Sequence, residues 1–279
     1  MSEPRLLIAD LAFPESPRWH RNRLWFCDWG AREIIGFDLQ GQGKVVVRVE
    51  SYPFCIDWLL DGRLVVVSGT SLLRSGPDGV LETYADLERI ANNNWNDIVV
   101  DGRGNAYVNN ISFAFPGGEF APGIIALVTP DGSARLVADD IAFPNGMVVT
   151  PDNATLIVAE SYGSKLTAFE IESDGSLSNR RTWADLDDGA PDGICLDAEG
   201  AIWYGDVPNR RCVRVAEGGK VMQTIKLDRG CFACMLGGTR GTTLFLTTNE
   251  WRGAASLANE ERAGQVLAVE APARHAGWP

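Results

Sequence analysis

The chain has 279 residues, 45% of them hydrophobic, with 25 basic against 37 acidic side chains and a formal net charge of −12. That balance speaks against a nucleic-acid partner, which needs a basic face to neutralise phosphates. No stretch is apolar and long enough to cross a bilayer, and the first residues lack the pattern of a secretion signal, so a cytoplasmic protein without membrane contact is expected.

In chain order, the first predicted element is the short strand Leu6-Leu7-Ile8-Ala9, too isolated to make a sheet of its own. Six β-hairpins follow, at Glu15 to Asp28, Cys55 to Ser68, Asn96 to Asn109, Asn145 to Glu160, Pro191 to Asp206 and Cys234 to Thr248. The fifth shows the pattern plainly: an apolar run, a polar turn at Asp197 to Gly200, and a second β-rich run ending at Gly205-Asp206. Second strands starting at Leu24, Leu64, Ala106, Leu156, Ile202 and Leu244 give spacings of 40, 42, 50, 46 and 42 residues. A period of roughly 40 to 50 residues holding about four strands, without helical periodicity, is the pattern of propeller blades.

The expected fold is therefore all-β: one six-bladed β-propeller domain spanning residues 1–279. The N-terminal strand closes it by pairing with the last blade, because an unclosed ring leaves a bare sheet edge. The predicted blades run from Phe13 to Glu50, Ser51 to Leu87, Glu88 to Asp140, Ile141 to Leu186 and Asp187 to Leu227, with the sixth from Asp228. Two excursions stand out. Residues Phe113 to Pro122, aromatic and rich in Gly and Pro, suit a loop at the ring's mouth, and Trp251 to Arg262 form a second loop in which Ala254 to Ala263 suggests a helical turn. Both are candidate lids. The tail from Ala271 looks irregular. The six cysteines fall mostly in apolar strands, which predicts reduced, buried thiols, and Cys231-Phe232-Ala233-Cys234 lacks both a second ligand pair for zinc and a thioredoxin-like context.

A propeller gathers the starts of its innermost strands around a central channel. Read there, the blades supply Glu15, Cys55, Asn96, Asn145, Asp192 and Ala233 or Cys234, four of six carrying oxygen donors. Acids and amides without a basic residue at that position suit a hard divalent cation such as calcium, magnesium or manganese. The competing reading is that Asn145-Gly146 and Asp192-Gly193 are turn formers. With only His20 and His275 in the chain, a histidine-dependent nucleophile is not expected.

These motifs, from Phe13-Pro14-Glu15-Ser16-Pro17-Arg18-Trp19 through Asn96-Asp97, Phe143-Pro144-Asn145-Gly146-Met147 and Pro191-Asp192-Gly193-Ile194 to the region of Trp251, resemble the family holding senescence marker protein, gluconolactonase and the luciferin-regenerating enzyme. The resemblance implies that Glu15, Asn145 and Asp192 are metal ligands and that Asn96 contacts substrate and, in some members, the metal. It further implies hydrolysis of a small lactone, with calcium as the cation or zinc, manganese or magnesium in its place. Asp192 then serves as general base while the cation polarises the carbonyl. Many sugar-lactone members carry an arginine two residues before the asparagine of the Asn-Asp pair, where this chain has Asn94-Trp95-Asn96. With Trp95, Asn94, Phe115 and Trp251 as further substrate contacts, a lactone less polar than gluconolactone is expected. The same machinery suits arylester or organophosphate hydrolysis, and also a calcium- or ligand-binding propeller without turnover. The oligomeric state is not readable from the sequence.

Overall fold

The computed structural model describes residues 3–38, 41–253 and 262–279. Its first strand is β1 (Arg5–Leu11). Blade one holds β2 (Pro14–His20), β3 (Arg23–Asp28), β4 (Glu33–Asp38) and β5 (Gly43–Arg48), and blade two holds β6 (Phe54–Trp58), β7 (Leu64–Ser68), β8 (Ser71–Ser75) and β9 (Leu81–Asp86). In blade three come β10 (Ile98–Val100), β11 (Ala106–Asn110), β12 (Gly123–Val128) and β13 (Ala134–Ile141). Blade four is β14 (Pro144–Val149), β15 (Thr155–Glu160), β16 (Lys165–Ile171) and β17 (Leu177–Asp185). Blade five is β18 (Pro191–Leu196), β19 (Ile202–Asp206), β20 (Arg211–Val215) and β21 (Val221–Lys226), and the last strands are β22 (Gly230–Gly237), β23 (Thr243–Asn249) and β24 (Gly264–Glu270).

Each blade is a four-stranded antiparallel sheet, and the sixth has the order β1-β24-β23-β22. The N-terminal strand thus completes the final blade, as expected, with Arg5 opposite Ala268 and Leu11 opposite Gly264. Innermost strands of successive blades touch around the full circle, from β2 to β6, β10, β14, β18, β22 and back to β2. The six-bladed propeller is the fold. No helix long and apolar enough to cross a membrane occurs among the described residues.

The core lies between blades. Val65, Val67 and Leu72 of blade two meet Ile98, Ala106 and Val108 of blade three, and equivalent clusters join the other neighbouring pairs. Each inner strand is flanked on both faces, so β22 is buried at every position whereas β5 is exposed along nearly its whole length. This explains why the inner strands read as continuous apolar runs. The hairpin turns use aspartate as a local acceptor: Asp197 Oδ1 takes N–H groups from Glu199 and Ala201, and Gly200 sits at φ +75°.

The tail is more ordered than its composition suggests. His275 pairs with Asp197 and Trp278 with Val149 as isolated bridges, at the ends of β18 and β14 remote from Asp192 and Asn145. It straps several blades together on the face opposite the strand starts. Residues 113–122 form a loop without strand, as read from sequence, while most of the helical turn anticipated at Ala254 to Ala263 lies outside the described residues.

Candidate functional site

The three positions Glu15, Asn145 and Asp192 share one backbone device. Each follows a proline paired with an acid: Pro14 opposite Asp28, Pro144 opposite Glu160 and Pro191 opposite Asp206. In each blade the register then slips before Arg18, Met147 or Ile194, a one-residue bulge that spans Asn145 and Asp192 and directly follows Glu15, which itself pairs with Cys27. A bulge bends the strand and re-aims a side chain. The same slip recurs in blade six, between Cys231 and Ala233, so the device is shared by four blades and three of them place an oxygen donor beside it.

The paired acids are fixed in turn. Asp28 accepts the N–H groups of Ala12 and Phe13 at 3.0 and 2.7 Å, Glu160 that of Ala142 at 2.8 Å, and Asp206 that of Ala190 at 3.4 Å. All three are buried. They tie the loop entering each inner strand to the strand beside it. Sequence reasoning missed them, although an acid closing the second strand of three hairpins was a repeat-position signal.

The glycines after Asn145 and Asp192 do not make turns. They lie inside β14 and β18, and neither has a positive φ. A Cβ on Gly146 would lie 2.5 Å from Ile194 N, and one on Gly193 would lie 2.3 Å from Ala233 Cβ. Glycine is required because inner strands of neighbouring blades approach closely there. The turn-former reading of these dipeptides is thereby corrected.

The inner-strand starts open on a cavity of about 410 Å³ lined by Glu15, Cys55, Asn96, Asn145, Asp192, Ala233 and Cys234. Every residue read from sequence at the ring position reaches this wall. Asn145 Nδ2 donates to Ser161 Oγ at 3.4 Å, and Asn96 Nδ2 donates to Pro144 O at 3.3 Å. Burial raises the Glu15 carboxyl to about 8, with Asp97 adding to the rise and the Ser16 N–H and Arg18 opposing it. Asp192 is held well above the usual carboxylate range, first by burial and then by the charge of Glu15. Among the described residues neither acid forms an ion pair with Lys or Arg. The nearby Arg18 is committed elsewhere, donating to Asp97 Oδ1 at 3.1 Å, Ile98 O at 2.7 Å and Pro17 O at 3.0 Å.

A buried and a half-buried carboxylate on one cavity wall, the charge of Glu15 disfavouring that of Asp192, with carboxamides beside them, are the donor chemistry of a hard cation. No cluster of three or more His, Cys, Asp and Glu suited to a metal occurs among the described residues. The set here reaches a comparable number of donors only by including the amides of Asn145 and Asn96.

Residues 13–250 match the SMP-30/Gluconolactonase/LRE-like region. The chain belongs to that family. Among relatives of this SMP-30/gluconolactonase group, regucalcin of Xenopus laevis is 30% identical over 251 residues, 84% of this chain and 82% of its own length. A solved luciferin-regenerating enzyme superimposes with a TM-score of 0.84 at 21% identity, covering 98% of both chains. A gluconolactonase from Xanthomonas campestris gives 0.76 at 22% identity, covering 100% of this chain and 96% of that one.

The remaining substrate-contact expectations divide. Phe115 and Trp251 line the cavity. Trp95 does not: it is fully buried in the cluster between blades two and three, among Cys55, Ile98 and Val108. The reason is backbone direction, since its N–H donates to Gly69 O while that of Asn96 donates to Asn109 O. Asn94 is exposed, its Nδ2 donating to Tyr52 O behind the wall. Sequence reading also missed Arg18 and Asp97. All six cysteines are free and buried.

Proposed function

We propose that this protein is a divalent-metal-dependent lactonase, with the cation held by Glu15, Asn145 and Asp192 and with Asn96 beside them. The observation that carries the reading is the convergence of the Glu15 and Asp192 carboxylates with the Asn145 and Asn96 amides on one cavity wall, where the charge of Glu15 disfavours that of Asp192. Family membership supports the reaction class. An all-oxygen donor set favours calcium, with magnesium, manganese or zinc as alternatives. When bound, the cation supplies Lewis-acid polarisation of a lactone carbonyl.

The chain's own residues supply the rest. Asp192, whose ionised form a bound cation would favour, accepts the proton of the attacking water at a carboxylate oxygen as the new C–O bond forms. It returns that proton to the ring oxygen as the ring C–O bond breaks, leaving a hydroxy acid. Asn145 favours the ionised form of Asp192, and Asn96, its Nδ2 held by Pro144 O, lines the same cavity. The buried wall around them limits competing water.

The test is proton release from a panel of lactones, using chelator-stripped protein reloaded separately with calcium, magnesium, manganese or zinc. Hydrolysis should vanish on stripping and return with at least one metal. Asp192→Asn should lose turnover by about 10²-fold or more, the scale of a general base, while calorimetry still detects the cation. Tight binding without turnover of any lactone would overturn the lactonase reading in favour of a binding propeller.

A further inference from the structure

Beyond the candidate ligands, the described residues give the cavity little unpaired polar side-chain capacity. Ser16 Oγ accepts the Ile56 N–H, and Ser161 Oγ donates to Pro191 O at 2.6 Å. The Asp97 carboxylate takes Arg18 and the Met147 N–H. Arg18 keeps one unpartnered donor, Nε, but that atom is buried from solvent. The Cys234 thiol points at backbone carbonyls of Gly193 and Trp203. Among the described lining residues, what remains is in Tyr52, Tyr162 and Trp251.

The walls are aromatic on both sides. On one, the Phe143 ring lies 4.6 Å from Tyr162 and 5.0 Å from Phe115 between centroids. Phe143 is held there at φ +62°, a left-handed conformation that is unfavourable for a bulky residue. On the other, Trp29 stacks on Phe13 with 7° between planes and meets Tyr52 edge-on. The carboxylates and amides stand at the inner-strand starts between these walls.

A polyhydroxylated ring entering this space would shed water from each hydroxyl and find its protein counterparts already paired, a penalty that recurs for each group. A flat apolar ring loses nothing of that kind and covers aromatic surface. Resting on the lactonase reading, we infer that the site selects lactones fused to or carrying a flat aromatic group, with the ester at the carboxylates and the apolar ring between the Phe143 and Trp29 walls. Selection arises from the wall and not from an arginine, and Trp95 has no part in it.

Binding and turnover are tested separately, so that failure of one does not mask the other. The binding probes are 2-tetralone, which copies dihydrocoumarin with a methylene for the ring oxygen and cannot be hydrolysed, and gluconolactam, the matching sugar analogue. Calorimetry on calcium-loaded and chelator-stripped protein should show 2-tetralone binding at least about tenfold tighter than the lactam. Tyr162→Ala, at an exposed position that tolerates truncation, and Phe143→Ala should each weaken 2-tetralone while leaving the lactam unchanged. In parallel, kcat/KM for dihydrocoumarin should exceed that for gluconolactone. Equal or tighter lactam binding, or 2-tetralone affinity unmoved in Tyr162→Ala, overturns the inference even if lactones are hydrolysed. Selective 2-tetralone binding without hydrolysis of any lactone upholds it and removes the lactonase reading instead.

Discussion

At the scale of single residues, His20 makes a pH-dependent contribution independent of the cavity. Its ring stacks on Trp58 at 4.3 Å, and Nε2 is buried without a partner. Burial, with Arg21 adding to it, lowers its pKa from 6.5 to about 4. The folded protein therefore resists protonation that the unfolded chain accepts. The contribution is complete above about 6.5 and is lost as pH falls toward about 4. Urea midpoints at pH 7, 5.5 and 4 should fall more steeply for the native sequence than for His20→Phe, which keeps the stack without the titration. Parallel curves would show that the acid sensitivity lies elsewhere. The same scale shows what the sequence could and could not reveal. Glu15, Asn145 and Asp192 were legible because repetition places them at one position in three blades. Trp95 was misread because adjacency to Asn96 says nothing about direction when extended neighbours face opposite ways. The Arg18–Asp97 pair was invisible, its members lying 79 residues apart until the ring brings blades one and three together.

Among the elements, hairpins and blade limits could be read closely because two-sided burial writes itself as apolar runs between aspartate and glycine turns. The bulges could not, since a slipped register has no composition of its own, and their anchors Asp28, Glu160 and Asp206 looked like ordinary strand ends. The element with the clearest energetic role is β1. Leu7 and Ile8 pack against the cluster of Phe26, Phe245 and Val266, and the backbone of β1 covers the edge of β24. Deleting residues 1–11 should expose that edge and uncouple the sixth blade from the first. Light scattering and thermal melting should report aggregation together with a lower Tm. A monomeric variant melting at the native temperature would mean that the other interblade cores suffice.

For the whole molecule, the tail is a second clasp. It forms five backbone hydrogen bonds to blades four, five and six through His275 N, Arg274 O, Ala276 N, Trp278 N and Trp278 O. The Trp278 ring also packs against Gly102 of blade three, where an added Cβ would lie 2.6 Å from it. At about 0.5–1.5 kcal/mol net for each bond, removing residues 272–279 should cost roughly 3–7 kcal/mol. Denaturant unfolding would measure the loss. Because the strap lies at the far ends of the inner strands, the cation affinity of the truncated protein should change much less than its stability, and a parallel collapse of both would show that the clasp also shapes the cavity.

Closure by β1 also imposes a schedule. Arg5 leaves the ribosome long before its partner Ala268 exists. At about 5–20 residues per second, the wait is on the order of 10–50 seconds. Through that interval Leu7 and Ile8 have no strand to lie against, because β22, β23 and β24 of their sheet are not yet made. The opening segment must therefore stay soluble and unpaired while five blades are synthesised behind it.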